Sequence, residues 1–161
     1  MTRFNKSFWL LLAILFLTGF TAIAQRVYAP HSVLASGNWF RMAVSGPGVY
    51  KMDLAFLSKL GINTSGLPSS SIRLFGNGGF MLPELASGPK KDDLFENAIW
   101  VEDGGDGVLN GNDFILFYAS GPHNWTADTL NRKFSHQKNL YSEKSYYYIT
   151  VGTGGKRITP P

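Results

Sequence analysis

Twelve residues from Glu102 to Asp113 carry four carboxylates and four glycines, a composition that could hold a hard cation through oxygen ligands. Counted from Glu102, Asp106 falls at the fifth place, Gly107 at the sixth and Asp113 at the twelfth, as in a twelve-residue calcium loop. The third place is Gly104 rather than an acid, so the ligand set is incomplete. Asp, Asn and Gly also favour turns, because they tolerate positive φ and bond their own backbone. The spacing therefore favours a long hairpin loop between Trp100 and Phe114. Calcium at Asp103, Asp106 and Asp113 stays open at this stage.

The other chemistry-bearing residues are sparse. There is no cysteine, so the chain can form no disulfide, no thiolate metal site and no thiol nucleophile. His31, His123 and His136 are scattered along the sequence and none stands at ligand-like spacing from a carboxylate. A Gly-x-Ser-x-Gly elbow is absent, so no nucleophile and base can be paired and no catalytic residue is expected in these residues. Gly152-Thr153-Gly154-Gly155-Lys156-Arg157 departs from a phosphate-binding loop: Thr150 stands where its first glycine belongs, and Arg157 replaces the hydroxyl that would hold magnesium. The segment reads as a hinge, and no cofactor site is expected. Trp39 and Trp100 lie in strand-like runs and read as packing residues, whereas Trp125 stands in a polar stretch where an aromatic face could meet a ligand.

These groups are preceded by a leader. Met1 to Gln25 has Arg3 and Lys6, an apolar run from Phe8 to Phe20 and the triplet Ala22-Ile23-Ala24, the three parts of a secretory signal peptide. Its apolar run is shorter than the roughly 20 residues of a membrane-spanning helix. Residues 1–24 are expected to be a signal peptide cleaved between Ala24 and Gln25, giving an exported product at the periplasm or cell surface, peripheral to the outer membrane. No later apolar segment is long enough to span a bilayer. Removing Arg3 and Lys6 takes the formal net charge from +4 to +2, too small an excess to imply a nucleic-acid partner.

After a lead-in over residues 25–37, short aromatic and β-branched runs alternate with Gly, Pro and Asn, predicting antiparallel strands over 38–151. Trp39–Val44 and Val49–Met52 are expected to form a hairpin around Ser45-Gly46-Pro47-Gly48. Asp53 can cap one helix carrying Leu54, Leu57 and Leu60, which Gly61 stops. Ser71–Phe75 is expected to pair with Phe80–Leu82. Residues 84–97 read as a surface excursion. Phe114–Tyr118, apolar at both parities, predicts a central strand covered on both faces. Residues 120–137 read as a polar loop, and Tyr146–Val151 as a last strand. The expected fold is all-β: an antiparallel β-sandwich-like domain with one short helix. Residues 152–161 read as a linker or truncated end.

The order of three runs carries a family resemblance: Ser71-Ile72-Arg73-Leu74-Phe75-Gly76-Asn77-Gly78-Gly79, then Ile99-Trp100-Val101-Glu102-Asp103-Gly104-Gly105-Asp106-Gly107, then Asp113-Phe114-Ile115-Leu116-Phe117-Tyr118-Ala119-Ser120-Gly121-Pro122. With Gly37–Arg41, Gly48–Lys51 and Lys144–Thr150 it spans nearly all of 34–151 and resembles the N-terminal region of type IX secretion system sortases, gingipain-related cysteine peptidases of Bacteroidetes. The resemblance implies a non-catalytic front domain. The full-length enzyme would cleave C-terminal sorting domains from secreted cargo and attach the cargo to anionic lipopolysaccharide at the cell surface. It implies two partners, the remaining peptidase domains of the same chain and an outer-membrane component of the secretion system. The family's catalytic Cys and His map onto no position here. The alternative is a free-standing exported β-sandwich that binds glycan or a surface protein, with Trp125 the residue to test.

Overall fold

The computed structural model describes residues 28–85, 88 and 90–160; the expected signal peptide and its expected cleavage between Ala24 and Gln25 lie outside the described residues. Among the described residues nine strands, β1 (Phe40–Val44), β2 (Gly48–Asp53), β3 (Ile72–Phe75), β4 (Glu96–Asn97), β5 (Trp100–Glu102), β6 (Phe114–Ala119), β7 (Asn124–Asp128), β8 (Lys133–Gln137) and β9 (Ser145–Val151), are joined by one α-helix, α1 (Leu54–Lys59), directly after β2. A four-stranded sheet runs β1-β9-β3-β4 and a three-stranded sheet β2-β6-β5, while β7 and β8 form a separate two-stranded hairpin. All of these pairings are antiparallel. The fold is thus mostly antiparallel strand with one short helix, as the sequence predicts.

The alternation of the strands builds the core. Met42 and Val44 of β1, Ile72 and Leu74 of β3 and Tyr147 and Ile149 of β9 are buried from the first sheet, and they cluster with Met52, Ile115 and Phe117 of the second. Each such side chain contributes about 1.5–3 kcal/mol when fully removed from water. The Tyr147 and Phe117 rings join the two layers, their centroids 5.5 Å apart, and Tyr50 stacks on Phe117 at 5.8 Å. At its far end the Tyr147 hydroxyl accepts a hydrogen bond from the Ser120 amide at 2.7 Å. Gly76 lies directly against the Tyr147 ring, with no room there for a Cβ.

The helix behaves as its sequence predicts. Asp53 caps it, its carboxylate accepting from the Phe56 amide at 2.8 Å, and Gly61 at φ +98° ends it. The cap holds Leu57, which is 1% exposed, against the core.

Five expectations about strands and turns fail. The first predicted hairpin is a corner: β1 pairs with β9 and β2 with β6, so Ser45-Gly46-Pro47 passes the chain from one sheet to the other. Turning this corner lets Met42 and Met52 reach one core from opposite sides, which a flat hairpin would not. Phe80–Leu82 forms no strand. The edge of β3 is instead taken by β4, inside the stretch read as an excursion, because Arg73 grips Glu96 through two bonds of 3.2 and 2.6 Å. β6 is central but covered on one face: Ile115, Phe117 and Ala119 are buried, whereas Tyr118 is 61% exposed. Its outer face is shared with a cation, Lys51 Nζ lying 4.4 Å from the centre of the Phe114 ring. Finally, the polar stretch 120–137 contains the β7–β8 hairpin.

The Gly-rich segment read as a hinge is tied down. Gly152 donates to the Ser71 carbonyl, Ile99 donates to Lys156 and accepts from Ile158, and the Glu96 carboxylate accepts the Lys156 amide. Glu96 is held below the usual carboxylate range first by Arg73, against a smaller opposing cost of burial, with the Lys156 amide assisting.

Burial raises the Tyr147 hydroxyl above the ordinary tyrosine value, against the lowering bond from Ser120. A group raised in the folded state contributes stability below its unfolded value and loses it as pH climbs through the folded one. Urea melts should therefore show stability falling above about pH 10. Tyr147→Phe should flatten that alkaline limb while costing about 1 kcal/mol near neutrality for the lost hydrogen bond; an unchanged limb would remove Tyr147 as its source.

Candidate functional site

The acidic loop between β5 and β6 spends its carboxylates on its own backbone. Asp103 accepts from the Gly105 amide at 3.0 Å, Asp106 from the Val108 amide at 2.9 Å and the Asn110 side chain at 2.8 Å, and Asp113 from the Asn110 amide at 2.7 Å. Gly104, Gly105, Gly107 and Gly111 all have positive φ, a conformation glycine adopts without the penalty a Cβ would bring. Asp103 is held below its ordinary value, first by the Ser69 hydroxyl and then by the Gly105 amide. The loop also sends Leu109, 2% exposed, into the core, and Leu109 and Leu67 are joined by a backbone bond of 2.9 Å. Among the described residues no cluster of three His, Cys, Asp or Glu could hold a metal ion.

The hairpin is the larger surprise. In its register Trp125 faces His136 and Ala127 faces Phe134, so these four share one face, and Thr126, Asp128, Lys133 and Ser135 share the other. Across the polar face the Thr126 and Ser135 hydroxyls bond each other at 2.5 Å. At the tip the Asp128 carboxylate accepts from the Asn131 amide and side chain at 3.0 and 2.7 Å, and Arg132 takes φ +52° to complete the turn. Those two Asn131 bonds, the side chain's first, hold Asp128 below its usual range. The aromatic face has little cover: Trp125 is 63%, Phe134 77% and the tip residue Leu130 94% exposed.

At the base the hairpin is clamped. Buried Asn139 donates its side-chain amide to the Gly79 carbonyl at 2.7 Å, and its side-chain oxygen accepts from the Tyr141 and Ser142 amides. Its own amide donates to His123 Nδ1 at 3.0 Å. The His136 ring lies between two others, stacked on Trp125 at 4.4 Å and edge-on to His123 at 5.7 Å. Beside this clamp a cleft of about 1100 Å³ opens, lined by Phe80, Leu82, Leu85, Leu140 and Tyr141 among others. Four of these five side chains are more than 70% exposed. Ser145, whose hydroxyl is buried and unpartnered, lies against Gly79.

The structure thus brings together two of the three histidines, His123 and His136, which the sequence leaves scattered, and leaves His31 apart in the exposed lead-in. Trp39 and Trp100 are half-buried, Trp39 edge-on to Phe75 at 5.2 Å. Trp125 is exposed, although one face of its ring is already taken by His136. The aromatic face of the hairpin was present in the sequence as the alternation Trp125-x-Ala127 and Phe134-x-His136. The arrangement offers apolar contact surface and a hydrogen-bonded histidine, with no nucleophile set against a base in any bond described above.

The overall geometry has a counterpart. A crystal structure of dimeric latent PorU from Porphyromonas gingivalis is similar over 83% of this chain, with 28% identity and a TM-score of 0.60. The chain folds like that part of PorU. It spans 11% of that PorU chain. No protein-family model and no curated protein matches the sequence. The PorU likeness covers most of the described sandwich, and it agrees with the resemblance carried by the residue runs at 71–79, 99–107 and 113–122.

Two substitutions separate loop architecture from ligand binding. Asp106→Ala should lower stability by about 1 kcal/mol, read by thermal or urea melting, because it orphans the Val108 amide. Added calcium should shift the melting temperature of the parent chain little; a large shift that Asp106→Ala abolishes would make the loop a calcium site. Ser145→Ala should be neutral or slightly stabilising, since it removes a buried hydroxyl that has no partner.

Proposed function

We propose that this chain is the non-catalytic N-terminal β-domain of a PorU-like type IX secretion system sortase, exported and held at the cell surface. The observation that carries this reading is the match to PorU over 83% of the chain at 28% identity while spanning only 11% of that PorU chain. A piece of that size, with no cysteine, has no means of performing the thiol chemistry of a cysteine peptidase. The sandwich would instead serve as a platform. Cleavage of sorting domains and attachment of cargo to anionic lipopolysaccharide would belong to the peptidase domains of the full-length protein.

The partners in this reading are those peptidase domains and an outer-membrane component of the secretion system. The uncovered aromatic face of the hairpin and the neighbouring apolar cleft are the surfaces that suit such contacts, since fully wet apolar patches of this kind commonly mark interaction sites. The neighbouring PorU is described as dimeric and latent, so a second copy of the full-length protein is a further candidate for the same face. A free-standing glycan binder is less well supported, because the Trp125 ring a sugar would stack on is half occupied by His136.

The test is the DNA downstream of the codon for Pro161. An open frame continuing into a domain with a Cys and His peptidase pair is the expected result. A stop codon followed by an unrelated gene, together with a secreted chain that works alone, would overturn the reading.

A further inference from the structure

The outer face of the second sheet is apolar where a two-layer fold meets water. Met52, Ile115 and Phe117 point into the core, so their neighbours along β2 and β6 point out. Val49 stands opposite Tyr118, Lys51 opposite Leu116 and Asp53 opposite Phe114. From β5, Trp100 stands beside Leu116 and Glu102 beside Phe114. Five of these eight side chains are apolar or aromatic, and Val49 and Tyr118 are 69% and 61% exposed. A solvated sheet face carries polar residues at such positions, so a bare apolar one marks a contact surface.

Its charges lack partners as well. The Lys51 ammonium meets only the Phe114 ring, at 4.4 Å, and the Glu102 carboxylate bonds nothing among the described residues. Asp53 is already spent on the helix cap. A covering surface that suits this face is apolar at its centre, over Leu116, with an acid beside Lys51 and a base beside Glu102.

The course of the chain brings one occupant to this place. Ile99, directly before β5, donates to the Lys156 carbonyl at 3.2 Å and accepts from the Ile158 amide at 2.9 Å, a parallel bridge to Arg157. Extending that ladder needs an N–H from residue 160 for the Val101 carbonyl, and Pro160 has none. The pairing therefore stops, and the chain departs from the edge of β5, the strand that carries Trp100. Arg157 fixes the point of departure, its guanidinium donating to the Ser69 carbonyl at 2.9 Å.

We propose that the outer face of β2, β6 and β5 is the seat of the polypeptide that follows Pro161, which packs an apolar surface over Trp100, Leu116 and Tyr118. This rests on the PorU-like reading, in which the protein continues beyond this chain, and it adds the docking surface to that reading. The β7–β8 hairpin, on a separate sheet, is left for other partners.

Site-resolved maleimide labelling tests the docking, since the chain has no cysteine of its own. Val49→Cys, Tyr118→Cys and, on the outer face of the first sheet, Ala43→Cys are each made in two proteins: the chain ending at Pro161 and the product of the full downstream frame. Labelling is read at the introduced residue by mass spectrometry. All three positions are exposed, so the substitutions lie outside the core. Positions 49 and 118 should label at least tenfold more slowly in the longer protein, and position 43 at the same rate in both. Equal rates at 49 and 118 in the two proteins would overturn the docking and leave the proposed function standing. So would an equal slowing at position 43, the mark of general burial. Slow labelling of the short chain that deepens with its concentration would give the face to a second copy instead. A stop codon directly after Pro161 would remove the proposed function and this inference together.

Discussion

The contact between Tyr147 and Phe117 is the constraint around which the rest is arranged. Two antiparallel sheets can share a core only if side chains from their facing surfaces interlock, and here one large ring from an interior strand of each sheet makes that junction. Its requirements spread outward. Gly76 must lack a side chain to let the Tyr147 ring lie against it, the Ser120 amide must point at its hydroxyl, and the corner at Ser45-Gly46-Pro47 must carry β2 across to the opposite layer. Gly121 closes on that corner so tightly that a Cβ would strike its backbone. Two of the glycines in the runs that carry the family resemblance, Gly76 and Gly121, are therefore explained by close approach.

How much of this was readable in the sequence depended on whether the signal was local. The period-two runs of β1, β2, β3, β6 and β9 were visible because each strand pairs with a chain that fits its alternation. The Asp53 cap and Gly61 stop were visible because helix ends are satisfied within a few residues. Pairing was another matter. The turn residues Ser45–Gly48 suit a hairpin, yet the choice between hairpin and corner is made by burial on both sides of one core, which turn chemistry does not encode. Likewise Glu96 looked like part of a polar excursion until its position beside Arg73 turned two residues into a strand.

The candidate site was less legible than the fold. The acidic loop gave its turns away in its composition, although the burial of Leu109 within it was masked by the polar residues around it. In the hairpin the alternation is interrupted by hydroxyls, amides and charges, so residues 124–137 read as a loop. The meeting of His123 with His136 is a tertiary fact: both are single histidines in polar surroundings, brought to one place by the register Trp125↔His136. The chain folds like part of PorU, a likeness that moves no chemical group onto it, and the site remains one of contact surfaces and a hydrogen-bonded ring.

The order of the first sheet carries a kinetic consequence. Its second strand, β9, is the last of the described strands, so β1 and β3 can find their shared neighbour only once Ser145–Val151 is available. Contacts of such long sequence separation slow folding, because the loop must close before any pairing rewards it. While ribosomal synthesis delivers residues in order, Phe40, Met42 and Ile72 stay without their native cover. The first sheet therefore stays open until Ser145–Val151 is in reach, and its slowest step is the closure of the chain between β1 and β9.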